Sequence, residues 1–574
     1  MLKKILSIAL AVLMLTLALA GCAKEAAPSA EPSTQPSALP ETPDQPEVEP
    51  MKAGTYTAVC HGFYGDFEVS VTVSETAITQ IVPGEYKETE AVGGKAIALM
   101  SDSMIESNTS GVDIVSGATV TSAVFRSAVT DCLTQAGAPT ELTAPPAAPA
   151  VTEETIDTDV LVIGAGASGF AASITAAQSG AKVTLIEKQD IVGGSTVVSA
   201  GIVYAALDEA DESKMVDYYM ERAENNANFE MLTTFAENSL DTISFLEEAG
   251  VLWMMSVPAG TAPEARARFS MHEDGTAMIG SALINPLEAQ AIRLGVDIYT
   301  GVKATNLLQE NGTIVGAKAT SKTANYTINA KAVILATGGF DASAEMVAKY
   351  SPMATGDVVL SNKGNVGEGI TMGIEVGAAS EFKGGMIGFQ SVDGSLPESG
   401  YNSEAMGSPL FVQADGTFIS LSNDYPITYS ALKASGASAF YGIYDAAGAE
   451  SVQRSVDSGF GFKAETVEEL ATAAGMDAAN LSEAIGKAQE LQNGPYFAIV
   501  VRPTTIGSMG GLVTNAAAEV LNENDEVIPG LYAAGEVANS AFYYQEYPAS
   551  GSSNCIGLTF GRIAGENAAA FIAE

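Results

Sequence analysis

The first apolar run lies between Ile5 and Ala20, behind Met1-Leu2-Lys3-Lys4 and ahead of Gly21-Cys22. A short cationic start before an apolar stretch of this length predicts a secretory signal. From Ala23 to Pro50 the apolar pattern stops. Prolines at 28, 32, 36, 40, 43, 46 and 50 fall among Ser, Thr, Ala and Glu, so the segment buries no core and favours extended polyproline conformations. Alternation begins at Phe67-Glu68-Val69-Ser70-Val71-Thr72-Val73 and predicts a strand with one buried face. A second strand is expected over Ile78–Val82, a helix over Ala96–Glu106, and another from beyond Ser122 to about Leu133. Gly137–Glu154 is again rich in Pro and Ala and reads as a linker. The pattern then changes. Asp159-Val160-Leu161-Val162-Ile163 is almost continuously apolar, as a buried parallel strand is. A helix over Phe170–Ser179 and a strand over Lys182–Ile186 follow. No later stretch approaches ~20 uninterrupted apolar residues, so none is expected to span a bilayer.

Composition narrows the classes. A length of 574 residues suggests two or three folded units, and 47% apolar against 17% charged residues excludes a wholly disordered chain. The 27 basic and 69 acidic residues leave a net charge of −42, which argues against nucleic acid and against a polybasic membrane face. With two histidines, His61 and His272, a His-rich metal centre is excluded and a Ser-His or Cys-His hydrolase disfavoured. Four cysteines exclude a disulfide scaffold. Nothing in the spacing of Cys60 and Cys132 requires a disulfide, and two buried free thiols are the expected reading, with pairing as the alternative.

Between the strand and the helix stands Gly164-Ala165-Gly166-Ala167-Ser168-Gly169, and Glu187 ends the next strand. This is the strand-turn-helix-strand context that a dinucleotide fingerprint requires. Gly164 permits the tight turn, Gly166 the approach of pyrophosphate, and Gly169 the helix–strand packing. Three further stretches, Glu187-Lys188 through Gly193-Gly194-Ser195-Thr196, Val333-Ile334-Leu335-Ala336-Thr337-Gly338-Gly339, and Pro529-Gly530-Leu531-Tyr532-Ala533-Ala534-Gly535-Glu536, resemble the fumarate reductase/succinate dehydrogenase flavoprotein family. The resemblance implies an α/β fold. A Rossmann-like FAD-binding domain is split over 157–386 and 508–574, with an α+β clamp domain inserted at 387–507 and the active site between clamp and flavin. It implies non-covalent FAD contacts at Gly164, Gly166, Ala167, Ser168, Gly169, Glu187, Lys188, Gly193, Gly194, Ser195, Thr196, Ala200, Gly201, Thr337, Gly338, Gly535, Glu536, Ser552, Ser553 and Asn554.

Upstream, Asp113-Ile114-Val115-Ser116-Gly117-Ala118-Thr119 precedes a helix. Ser and Thr in that position are ordinarily caps, and the small Gly117 and Ala118 let backbone approach a bulky group. The stretch also resembles the flavinylation motif of FMN-binding domains in ion-pumping quinone reductases and extracellular electron-transfer lipoproteins. That resemblance implies a small α+β FMN-binding domain over 51–137, joined by a linker at 138–156. A flavin transferase would esterify the FMN phosphate to Thr119. Leu19-Ala20-Gly21-Cys22 resembles a bacterial lipoprotein signal box, which implies removal of 1–21, a lipid on Cys22, a tether over 22–50 and residence on the extracytoplasmic face of the cell membrane. An uncleaved anchor is the other reading.

The site departs from soluble fumarate reductases. Where that family carries a His at the start of the clamp, Phe389-Gln390-Ser391-Val392 stands here. Its Thr-Glu-x-x-Arg is Ser403-Glu404-Ala405-Met406-Gly407, which keeps the Glu and loses the Arg. Its His-His-Thr-Met-Gly-Gly reads Ile506-Gly507-Ser508-Met509-Gly510-Gly511, and its Asn-Arg-Leu-Gly-Gly reads Tyr547-Pro548-Ala549-Ser550-Gly551. Counting back from Ala439-Phe440-Tyr441, the family's catalytic Arg falls on Tyr425. The replacements resemble the 3-ketosteroid dehydrogenase branch, which implies Tyr547 and the Gly551 N–H as the pair polarising a carbonyl oxygen and Tyr425 as proton donor. Tyr429, Tyr543 and Tyr544 are alternative donors, and each tyrosine also reads as packing. His272 is expected to support the flavin region, and Met254, Met255, Met271 and Met278 to lie in core or line a pocket. The expectation is an exported flavin reductase of a C=C bond conjugated to a carbonyl, fed by a membrane electron donor, quinone-linked or another flavinylated lipoprotein. A neutral enone is the first acceptor class, and an aryl acrylate or other enoate the second. A dehydrogenase running in reverse, and an electron-transfer lipoprotein without turnover, are the rivals.

Overall fold

A computed structural model of the chain describes residues 50–259, 262–277, 279–392, 408, 410–419, 425–436, 440–457, 459–488 and 490–573. The signal, Cys22, nearly all of the tether and Ser403–Gly407 lie outside the described residues. Among the described residues no helix is long and apolar enough to cross a membrane.

The small unit is a three-stranded antiparallel sheet, Gly54–Gly62, Gly65–Val73 and Ile78–Pro83. Alternation puts Phe67, Val69, Val71 and Val73 on its buried face. Helices Lys95–Ser107 and Thr119–Gln135 cover that face with Ile97, Met100, Phe125, Val129 and Leu133. Cys60 and Cys132 are both free and buried there, and burial pushes their thiols up to about 12 and about 11. The first strand, with its mixed Thr, Ala and His, carries too weak an alternation to be read from sequence.

The segment expected as a linker is partly built into the fold. Leu142 is buried in the small unit's core, and Thr152–Asp157 is a strand parallel to Ala324–Asn329 in a four-stranded sheet. Pairing with a distant strand supplies hydrogen bonds that local sequence does not announce.

The large unit centres on a six-stranded sheet in the order Asp297–Tyr299, Val183–Ile186, Val160–Ile163, Ala332–Leu335, Val527–Ala533, Glu519–Leu521. The first five strands run parallel, and the glycine-motif strand is wholly buried, as its unbroken apolar run demands. Helices Ala167–Gln178 and Ser552–Phe571 pack closely, because a Cβ on Gly561 would stand 2.4 Å from Ser168 O. A seven-stranded sheet gathers around Tyr496–Ser508, which pairs with Met386–Val392, Phe440–Tyr444, Gly461–Ala464 and Val358–Val359. That long strand carries the clamp into the FAD-binding part without a break. Met254 and Met255, expected in core or pocket, are exposed on the edge strand Leu252–Ala259, whose pairing with Ala262–Met271 shifts register between Trp253 and Met255. Met271 is half-buried, and Met278 lies outside the described residues.

Candidate active site

The parallel strands Val160–Ile163, Ala332–Leu335 and Val527–Ala533 end together at one edge of the sheet, where ligands of open α/β sheets bind. A cavity of about 1270 Å³, open mouth included, lies there. Gly164 turns the chain at φ +107, and a Cβ on it would meet Ala336 O at 2.3 Å. Gly166 differs: a Cβ on it would meet no protein atom nearer than 4.0 Å, so the space above it belongs to the cavity. Helix Ala167–Gln178 begins beside it with no side-chain cap, which leaves its first amides for an anion. Glu187 holds this turn, accepting the Ala165 and Gln189 N–H groups at 2.9 Å each. Burial pushes its carboxyl up from the usual range.

Most of the expected flavin contacts line this one cavity. Gly164, Gly166, Ala167, Ser168, Glu187, Gly194, Ser195, Thr196, Ala200, Thr337, Gly338, Gly535, Glu536, Ser553 and Asn554 all do so. Five do not. Lys188 turns outward to pair with Glu368 at 2.5 Å. Gly169 is consumed by packing, since a Cβ there would stand 1.8 Å from Gly164 O. Gly193, at φ +117, caps the turn Gly194–Val197 and abuts Val197. A Cβ on Gly201 would stand 2.3 Å from Ser270 Oγ, and Ser552 accepts the Tyr219 hydroxyl at 2.6 Å. The cavity fits a dinucleotide: Gly166 faces empty space, and the uncapped helix start beside it offers free amides to a pyrophosphate.

A carboxyl pair stands in the wall. Asn365 Nδ2 lies 3.1 Å from Asp341 Oδ1, 3.2 Å from Glu536 Oε2 and 2.9 Å from Ser195 Oγ. Ser508 N–H donates to Glu536 Oε1 at 3.0 Å, and Ser361 donates to Asp341. Burial, then the neighbouring Asp341, pushes Glu536 up to about 8, and burial raises Asp341 as well. Asp341, Ser361 and Asn365 were absent from the expected site. Their separation in sequence from Glu536 hides the cluster, and no local pattern marks them.

Tyr547 and Gly551 are brought into the same cavity, where Ile387, Phe389, Leu360 and Ile506 add apolar wall. The Tyr547 hydroxyl accepts the Ser553 N–H at 2.8 Å. Tyr425 opens the helix Tyr425–Ser435, and its side chain lies outside the described residues. Tyr429, one turn on, is committed elsewhere: it donates to Asp357 Oδ2 at 2.8 Å, beside Lys433 Nζ at 2.5 Å from Oδ1. Tyr543 is buried against Tyr547, ring centroids 5.7 Å apart, and Tyr544 is half-buried. His272 pairs with Ser281 Oγ at 2.8 Å and does not line the cavity.

In the small unit, Thr119 is the first residue of its helix and is exposed. Its hydroxyl makes no hydrogen bond among the described residues. The preceding Ala118 cannot cap, and the Ser116 hydroxyl goes to Asp190. Neither residue is therefore a cap, and the helix start is open. Such a start suits a phosphate.

The FAD binding domain family matches residues 159–553, and the FMN-binding domain family matches residues 62–134. A urocanate reductase of Eggerthella lenta is 29% identical over 581 residues, covering 90% of this chain and 92% of that protein. An NADH:acrylate oxidoreductase of Vibrio harveyi is 27% identical, covering 90% of this chain and 61% of that longer protein. Among solved structures, the open conformation of a flavocytochrome c3 fumarate reductase superposes with a TM-score of 0.62 at 27% identity, over 73% of this chain and 79% of that one.

Proposed function

Because the chain belongs to the fumarate reductase/succinate dehydrogenase flavoprotein superfamily and is an FAD-dependent reductase acting on carbon–carbon bonds, we propose that its acceptor is an enoate with one carboxylate, of the aryl-acrylate or urocanate kind. The cavity wall carries this reading. Among the described residues that line it there is no lysine, arginine or histidine. A dicarboxylate needs paired cationic donors. A single carboxylate, or the charge that develops on its oxygen during reduction, is matched by a helix N-terminus and a hydroxyl. The relatives named for urocanate and acrylate favour an enoate over the neutral, ketosteroid-like enone that Tyr547 and Gly551 suggest by themselves. The neutral enone is the second reading, favoured by Tyr547 and Gly551 in the wall.

Bound FAD would supply the hydride that reaches the β-carbon. The Gly164–Ser168 turn and the start of helix Ala167–Gln178 would hold the pyrophosphate, Glu187 the ribose, and Ser195, Thr196, Thr337 and Glu536 the remainder. Tyr547, fixed by the Ser553 amide, and the Gly551 N–H hold the acceptor's carbonyl oxygen. Tyr425 would deliver the proton to the α-carbon. Phe389, Leu360, Ile387 and Ile506 keep water from the reacting atoms.

The remaining expectations belong to the same reading. Thr119 would hold FMN as a phosphoester made by a flavin transferase, which would let the small unit take electrons from a membrane donor, and a lipid on Cys22 would hold the chain outside the cell membrane. The match to FMN-binding domains, the exposed hydroxyl of Thr119 and the signal-box residues support this. The test is a panel of aryl acrylates, urocanate, steroid enones and fumarate with reduced viologen, assayed in both directions. Enoates with one carboxylate should oxidise the dye fastest. Fumarate as the best acceptor, faster turnover in the oxidative direction, or electron passage with no acceptor consumed would each overturn the proposal.

A further inference from the structure

The loop that carries Thr119 does not stand free of the large unit. Asp190 Oδ2 accepts both the Ser116 N–H, at 2.8 Å, and the Ser116 hydroxyl, at 2.9 Å, and Ser116 Oγ accepts the Asp190 N–H at 2.8 Å. Next to this reciprocal pair, Gly117 sits at φ +94, and a Cβ on it would stand 2.7 Å from Ile191 Cγ1. Its lack of a side chain, expected to admit a bulky group, admits the other unit instead. Ile191, from the large unit, is 3% exposed and packs into the small unit's core. Lys95 pairs with Glu288 at 2.8 Å and Asp113 with Lys322 at 2.9 Å on either side.

Asp190 and Ile191 belong to the loop between Glu187 and Gly194-Ser195, residues that line the dinucleotide cavity. That loop is fixed on its other side as well. The Gln189 and Asn362 amides exchange hydrogen bonds at 2.8 and 2.7 Å, three residues before Asn365. Chain reach across these contacts puts Thr119 within roughly 20 Å of Gly193.

We propose that Asp190 and Ile191 form a dock for the loop Ser116-Gly117, and that the docked state is the one in which the small unit's flavin serves the large unit's. The proposal rests on the reading of Thr119 as the FMN acceptor. In that state two electrons would pass from reduced FMN to oxidised FAD, with their protons exchanged through solvent. No residue of the dock reacts; it sets the distance. Hydrogen bonds to a carboxylate are among the stronger ones, so losing them should open the dock measurably.

The test uses the full chain with its flavins. In Asp190→Ala the Ser116 amide should exchange hydrogen tenfold faster or more, and reoxidation of FMN through FAD by an enoate should slow by the same order. Reoxidation of FAD itself should be unchanged. Asp190→Asn, which keeps an acceptor, should restore most of both, and Ile191→Ala should weaken the dock while leaving Asp190 in place. An unchanged Ser116 amide and an unchanged FMN phase in Asp190→Ala would overturn the dock. Flavin fluorescence on a denaturing gel is read alongside. A wild-type chain without it would remove Thr119 as acceptor, while the amide exchange would still report on docking.

Discussion

Tyr547 hands an acceptor oxygen to the backbone of Ser553, 2.8 Å away, at the start of the 20-residue helix Ser552–Phe571. The contact fixes a phenol in the cavity wall, and the helix start stabilises negative charge on and around its oxygen. Tyr547→Phe should lower kcat by about 10²-fold or more while FAD content stays at the wild-type level. An unchanged kcat would remove the hydroxyl from the reaction.

Thr119 offers a hydroxyl that no described residue binds. Thr119→Ala should yield a chain with no fluorescent band on a denaturing gel and with FAD still bound in the native state. Its thermal stability should stay within ~0.5 kcal/mol of wild type, because an exposed side chain outside any cap is lost. A persistent fluorescent band would place the ester elsewhere.

The carboxyl pair gives a pH dependence of known sign. Glu536 is raised from 4.5 to about 8, by burial first and by Asp341 second. Lys363, itself lowered by burial, and Tyr543 also face the pair. The folded chain thus holds a proton that the unfolded chain has released. The stability this contributes is full below about 4.5 and is lost as the pH rises toward 8. In the flavin-free chain, wild type should therefore lose stability relative to Glu536→Gln between about pH 5 and 8. Parallel curves in chemical denaturation would contradict the assignment.

Lys433 is the only ion-pair partner that the described residues provide for Asp357, whose side chain is 6% exposed at the root of the clamp. Lys433→Met leaves that carboxylate buried beside Tyr429. The variant should unfold more readily by about 3 kcal/mol, read as a lower denaturant midpoint. The double variant Lys433→Met with Asp357→Asn should recover much of the loss. A single variant as stable as wild type would show the pair to be dispensable.

What could be read from sequence was what repeats locally. The glycine turn, the strand before it and the acidic residue after it are adjacent in the chain, so their roles at Gly164, Gly166 and Glu187 were legible. Gly169 is legible as a packing residue, and its place inside the fingerprint also suggests a flavin contact, although packing removes it from the cavity wall. Lys188 was misplaced because its partner, Glu368, is remote in sequence. Asp341 and Glu536 follow two neighbouring strands and Asn365 precedes the helix Glu368–Glu375, so they meet only in the fold, and Ser116 meets Asp190 only when two units dock. A buried carboxyl pair and a docking loop carry no local signature, whereas the Thr152–Asp157 strand was hidden inside a composition typical of linkers.

Under the proposed reading, two flavins on one chain deliver electrons to an enoate. The most direct measurement is rapid anaerobic mixing of the fully reduced chain with excess aryl acrylate or urocanate, following flavin absorbance and product. Both flavins should reoxidise, and the wild type should reduce twice as much acceptor per chain in one discharge as Thr119→Ala. Flavins that stay reduced in the presence of every enoate, or equal yields from the two chains, would contradict it.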